Sequence, residues 1–455
     1  MRVPVVVLVV LLLVPSVGSL WRAPPVQASA LPSDLSDGDL LRLLASHTGY
    51  RLSASTPTRV PPGLTLVGEL QGLALRMGAQ PLGAADVAAF ASLDPRVAGP
   101  TLLLLVAVSD AWDARDAAFA KLTLDEQREL AALMDARAPS EPRSAREAAL
   151  AANVDKKAMI EGTIILMDTL ENIVLPQLQA AARNGAWPPV AVADPVGVLR
   201  LGSPGTDVER LNRLVQIDPN GNDVYWNNAG GGSAVPGINP PTPRFPVALS
   251  VDLNGNDYYR NNYTGAQGGG VFGVGVLLDL TGDDYYYCSG VHCAGGADLG
   301  VGLLRDYAGN DSFFVGQTYS MGGAYEGWGV LRNDAGNDQY TIGGYAGGMA
   351  EIDGALGLLW DRAGTDKYLV WAGSAARAYG WSESGGYGWF VDEGNATDYY
   401  EQEHALNYAH GCNDCYWQLG EPGIFMPSNG RGLDNQGGLA GILATPNAVF
   451  PPPGP

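Results

Sequence analysis

"GLLRDYAGNDSFF", residues 302–314, decides the fold because it is one of a set. The chain repeats it as VQIDPNGNDVY (215–225), LSVDLNGNDYY (249–259), VLLDLTGDDYY (276–286), VLRNDAGNDQY (330–340) and LLWDRAGTDKY (358–368). The second acid of each phrase falls at Asp223, Asp257, Asp284, Asp311, Asp338, Asp366 and Asp398, at intervals of 34, 27, 27, 27, 28 and 32 residues. Five residues upstream stands another acid: Asp218, Asp252, Asp279, Asp306 and Asp361. Asn333 takes that place in the fifth copy, with Asp334 beside it, and Asp392 stands one residue off in the last. Two residues downstream comes a ring every time: Tyr225, Tyr259, Tyr286, Phe313, Tyr340, Tyr368 and Tyr400.

A period near 27 signals a stacked or radial repeat, and it is too short for a propeller blade of about 40 residues or more. Three strands of about five residues and three short turns fill one coil. The sequence therefore predicts a parallel β-helix, a β-solenoid of about seven coils, over residues 196–425. Stretches such as VGVLL and DYYY read as its strands, with Gly and Asn at corners of positive φ. The rings two residues after each marker are expected to stack along the shaft. Residues 426–455, rich in Gly and Pro, read as a cap and tail.

Residues 31–195 have a different character. DGDLLRLLASH (37–47) opens with capping acids, LTLDEQRELAALMDARAPSEP (122–142) carries apolar residues at three and four spacing, and residues 155–185 run amphipathically toward Gly185. This Ala-rich text predicts an all-α bundle, so the fold class expected is α+β multidomain, helical bundle first and β-solenoid second. His47 reads as a packing or surface residue rather than a catalytic base, and Trp112 as core.

The first 30 residues read as a secretory signal: Arg2, an apolar run over residues 3–14, then Ala28-Ser29-Ala30 as a small-residue cleavage site. A run of 12 is short of the roughly 20 residues that span a bilayer. The expectation is a secreted or cell-envelope protein with no membrane span in the mature chain. The protein carries 48 acidic and 27 basic residues, net −21, and residues 215–440 alone hold 26 acids against 8 bases. Nucleic acid and anionic lipid are held mainly through basic side chains, so that half excludes both and favours cations as partners.

Stacking puts each acid about 4.8 Å from its counterpart in the next coil. At an effective dielectric near 20, two such charges repel by roughly 3 to 4 kcal/mol. The carboxylates must accept turn amides, splay into water or hold a cation; Lys367 and seven arginines are the only bases in this half. The candidate metal ligands are Asp218, Asp223, Asp252, Asp257, Asp279, Asp284, Asp306, Asp311, Asp338, Asp361, Asp366, Asp392 and Asp398. Hard oxygen donors of this kind suit Ca2+.

The four cysteines fall as Cys288/Cys293 and Cys412/Cys415, with His292 beside the first pair and His404 and His410 near the second. Four coils, about 20 Å at roughly 4.8 Å per coil, separate the pairs, which is too far for one shared zinc site. Two local disulfides are expected in an exported chain.

AGNDSFFVG, AGNDQYTIGG and NGNDYY resemble the Gly-Gly-x-Gly-Asn-Asp-x-apolar repeats of secreted RTX calcium-binding β-rolls, and the coils resemble other exported parallel β-helix repeat proteins. The likeness covers about six residues of each 27. It implies calcium held between successive turns, with the motif's Asp at Asp257, Asp284, Asp311, Asp338 and Asp366. The function expected is a calcium-stabilised structural, adhesion or ligand-binding scaffold whose partner is an extracellular glycan or cell-surface protein. The alternative is a carbohydrate-active β-helix enzyme, a glycoside hydrolase or polysaccharide lyase, drawing on Asp298, Glu326, Glu351, Asp353, Glu383, Glu401 and Glu403. No catalytic pair among these stands out by spacing.

Overall fold

The structure is a computed structural model that describes residues 35–136, 143–234, 245–315, 318–352, 354–370, 385–393, 398–400, 416–419, 430–434, 439–440 and 443. The expected signal (1–30), Cys412, Cys415, His404, His410, Asp353, Glu383, Glu401, Glu403 and most of the 426–455 tail lie outside the described residues.

Eight α-helices come first: α1 Asp37–His47, α2 Leu66–Arg76, α3 Ala84–Ala91, α4 Pro95–Ala118, α5 Leu124–Ala136, α6 Ala145–Ala151, α7 Lys156–Thr169 and α8 Leu175–Arg183. Ser36, Thr65, Asp94, Ser144 and Asp155 cap five of them by accepting a first-turn amide, satisfying donors that a helix start leaves free. A π-helical turn, Leu170–Val174, joins α7 to α8 just ahead of Pro176, whose ring and missing N–H interrupt the regular ladder. Among the described residues α4 is the one helix long and apolar enough to cross a membrane, and 56% of its apolar window is buried inside the fold.

The repeats then coil. One sheet takes the strand ahead of each upstream acid: Val215–Asp218, Val247–Asp252, Val274–Asp279, Val301–Asp306, Trp328–Asn333, Leu356–Asp361 and Tyr387–Asp392, paired in parallel without a slip. A second takes the strand after each marker, from Val224–Tyr225 to Tyr399–Tyr400. The third side is short: Gly232–Ser233, Gly270–Val271 and Ala297–Asp298, continued by bridges at Ala324 and Ala350. The β-solenoid is thus present, and five coils close all three sides among the described residues, fewer than the seven markers suggest. The sixth and seventh copies keep their first two strands; the residues that follow them lie outside the described set.

Inside the coils the predicted rings stack face to face, with centroids 4.8, 4.8, 4.6, 4.9 and 4.9 Å apart from Tyr225 through Tyr259, Tyr286, Phe313 and Tyr340 to Tyr368. The interior is thin because the third side presses on the first sheet. A Cβ at Gly302 would lie 2.2 Å from the Gly296 carbonyl oxygen, so glycine there is a packing requirement. Glycine takes positive φ at the corners as expected, at Gly230, Gly268, Gly295 and Gly322, but the residue ahead of each that shares this conformation is Ala229, Gln267, Ala294 or Met321 rather than Asn.

Every residue of five of the first sheet's six-residue strands, from Val247–Asp252 to Leu356–Asp361, is buried. The inward positions face the solenoid interior, and the outward ones face the helices. Tyr50 meets Trp328 edge-on at 5.5 Å, His47 meets Trp389 at 5.2 Å, Phe119 stacks on Phe272, and Arg115 donates to the Phe272 carbonyl at 2.8 Å. One hydrophobic core consequently runs through helices and solenoid together. Charge is pinned in this seam as well. Arg332 meets Asp37 at 3.0 Å and Asp334 at 2.7 Å, Arg305 meets Glu171 at 2.8 Å, and burial with Asp37 nearby pushes Glu171 up to about 8.

Candidate metal centre

The two acid columns run down the corner between the first and second sheets, and the carboxylates are buried rather than splayed into water. Each second acid turns back on the coil before it. Asp257 accepts the Asp223 amide at 2.5 Å, Asp284 that of Asp257 at 2.5 Å, Asp311 that of Asp284 at 2.8 Å, Asp338 that of Asp311 at 2.6 Å and Asp366 that of Asp338 at 2.7 Å, always through Oδ1. Asp398 accepts the Asp366 amide at 2.7 Å, and Asp392 lies in register with Asp361. The upstream acids accept phenols: Tyr225 donates to Asp252 at 2.6 Å, Tyr259 to Asp279 at 2.6 Å, Tyr286 to Asp306 at 2.7 Å and Tyr340 to Asp361 at 2.6 Å.

These bonds use one oxygen and leave another. Oδ2 of Asp223, Asp257, Asp284, Asp311 and Asp366, and Oδ1 of Asp279, are buried and meet no amide, phenol or guanidinium donor; Asp218, Asp252 and Asp306 lie within carboxyl-to-carboxyl hydrogen-bond reach of Asp223, Asp257 and Asp311. The oxygens converge in threes: Asp223 with Asp252 and Asp257, Asp257 with Asp279 and Asp284, Asp284 with Asp306 and Asp311, and Asp338 with Asp361 and Asp366, all within 4.8 Å of one another. Two oxygens 4.8 Å apart can both lie about 2.4 Å from one ion, the Ca2+–oxygen distance, and three can do so once their separations are about 4.2 Å or less. Adjacent triads share Asp257 and Asp284, and Asp223 links them to a further group with Asp207 and Asp218, so these four form a chain.

Without a cation, such carboxylates resist ionisation. Burial, aided by neighbouring carboxylates, pushes Asp223 to about 6, Asp257 and Asp366 to about 7, and Asp284 and Asp338 to about 8. Burial likewise brings Asp218 to about 8, Asp306 to about 7 and Asp311 to about 10, and holds Asp252, Asp279 and Asp361 well above the carboxylate range.

Two places carry their own positive or donor group. At the start of the column, Arg200 reaches Asp207 at 2.8 Å, Glu209 at 2.8 Å and Asp218 at 3.2 Å. This corrects the expectation that basic compensation is lacking: it exists, supplied from upstream of the repeats. In the fifth copy, Asn333 donates through Nδ2 to Asp338 Oδ2 at 2.9 Å. Its neighbour Asp334 does not join the column; it faces Arg305, Arg332 and Arg362 at 2.6, 2.7 and 3.2 Å. The signal for Arg200 lay in a strand ahead of the first marker, outside the repeat unit.

Acids outside the columns have other roles. Glu326 lies between Arg143 at 3.0 Å and Lys156 at 2.8 Å, Glu351 accepts the Tyr319 phenol, and Asp298 faces His292 at 3.7 Å. Cys288 and Cys293 form a disulfide, as expected. The outer face of the second sheet bears a row, Arg210, Trp226, Arg260 and Tyr287, in which guanidinium groups stack on rings at 5.0 to 5.5 Å. No family model, curated protein or solved structure matches this chain.

Proposed function

We propose that the protein is an exported structural scaffold whose solenoid is stabilised by calcium ions held between successive coils. The observation that carries this reading is the set of buried carboxylate oxygens that meet no amide, phenol or guanidinium donor and converge in threes. Two acids per coil are balanced by one divalent ion per coil, which removes both the repulsion and the unsatisfied oxygens at once. Export is supported by the leader pattern and by the disulfide, a bond that persists in oxidising compartments. The second sheet's outer face, with Arg210, Trp226 and Arg260, offers an extracellular glycan or cell-surface protein a surface along the shaft. Calcium titration followed by thermal melting tests the metal: melting temperature rises with calcium and not with equal magnesium, which demands a tighter octahedral shell. No calcium-dependent shift after chelator treatment refutes it.

A further inference from the structure

We infer that Phe313 and Asn333 together form a built-in break in the cation ladder, a step that rests on the calcium reading above. In the three preceding steps a phenol donates to the upstream carboxylate of the next coil, as Tyr225, Tyr259 and Tyr286 do to Asp252, Asp279 and Asp306. The fourth ring in the stack is Phe313, which has no hydroxyl. The residue that takes the upstream position after it, in register with Asp306, is Asn333. The two departures from the repeat therefore fall on one step, and each answers the other. A carboxylate there loses its phenol donor, and a buried charged oxygen left without a donor costs more than a neutral one. The Asn333 amide oxygen indeed meets no donor.

The other half of the amide fills the place of the ion. Asn333 Nδ2 donates to Asp338 Oδ2 at 2.9 Å and to the Tyr340 phenol oxygen at 2.9 Å. In the second-column acids Asp223, Asp257, Asp284, Asp311 and Asp366 the corresponding oxygen meets no amide, phenol or guanidinium donor. Asn matches Asp in shape, removes one negative charge and brings its own N–H to Asp338, so this step has one charge fewer to balance and leaves only a neutral amide oxygen unmet at position 333. The break divides the column into linked triads that share Asp223, Asp257 and Asp284 on one side and the triad of Asp338, Asp361 and Asp366 on the other. Cations flanking the break stand two coils apart instead of one, which weakens their mutual repulsion.

The test is a count of bound calcium. The full chain is stripped with chelator, and calcium per chain at saturation is measured by equilibrium dialysis. Phe313→Tyr/Asn333→Asp restores the repeat and binds one ion more than the unaltered chain. The reverse conversion in a neighbouring step, Tyr259→Phe/Asp279→Asn, binds one fewer, and it decides the matter should the first variant fail to fold by circular dichroism. An unaltered chain that binds calcium while neither folded variant changes the count overturns the break and leaves the scaffold reading standing. An unaltered chain that binds none overturns both.

Discussion

Removing calcium should make the fold depend steeply on pH, and the sign follows from burial. Asp257, Asp284, Asp338 and Asp366 sit at about 7, 8, 8 and 7 in the metal-free fold, against about 3.9 for an unfolded aspartate. The folded chain therefore holds more protons than the unfolded chain between pH ~4 and ~7. Stability is greatest at the acidic end of that window and is lost as pH rises through the folded values. Each carboxyl that keeps its proton in the fold but ionises on unfolding contributes a slope of about 1.4 kcal/mol per pH unit. Four would give about 5 to 6 kcal/mol per unit, and even half of that removes about 5 kcal/mol over two units, the lower end of a typical domain's whole stability. Calcium reverses the dependence, because ligands bind it deprotonated and each site at a thousandfold excess over Kd adds about 4 kcal/mol. Urea unfolding followed by circular dichroism at pH 5, 6, 7 and 8, with chelator and with millimolar calcium, reads both arms. Stability in chelator that is flat or rising from pH 5 to 7 would refute the reasoning.

Other perturbations probe separate parts of the design. Gly302→Ala drives a methyl into the Gly296 carbonyl, 2.2 Å from the ideal Cβ position, and should lower stability by about 3 kcal/mol or more, seen as a fall in melting temperature with calcium present. Arg200→Met takes the guanidinium from Asp207 and Asp218 and should cost about 3 to 5 kcal/mol in chelator, with calcium restoring part of it; equal loss in both conditions would show that no cation replaces the arginine. Arg332→Met leaves Asp37 with Arg305 alone, at 3.4 Å, and should cost about 3 to 5 kcal/mol and speed proteolytic release of the helices from the solenoid.

The repeat and its stacking were legible because the markers keep a 27-residue period, and residues that match in the text do touch in space. Tyr286 lies against Tyr259 and Phe313 as the alignment requires. The docking of the helices on the first sheet was less legible, although its trace was present. A strand with one wet face alternates, whereas VGVLL and LGLLW are almost unbroken apolar runs, the pattern of a parallel sheet covered on both sides. The arginines of that sheet follow the same rule: Arg305 and Arg332 stand in the repeat but face the helices, so nearness to the acids in the text says nothing about the side of the strand on which a charge lies.

The same alternation explains why Asp334 does not replace the acid missing at position 333. One step along a strand turns the side chain from the solenoid interior to the opposite face, and Asp334 there meets three arginines while Asn333 stays in the column. A shift of one residue thus separates the carboxylate column from a structural ion-pair network, even though both are built from Asp in the same phrase. Burial raises both kinds of aspartate, but at Asp334 the Arg305 and Arg332 guanidinium groups outweigh it and hold the carboxyl below the usual carboxylate range, whereas column acids such as Asp284 have no basic partner to do so. What a buried aspartate does in this fold is accordingly set by which face its strand position presents, and from Asp252 onward the column face is the one that gathers carboxylates without a basic partner.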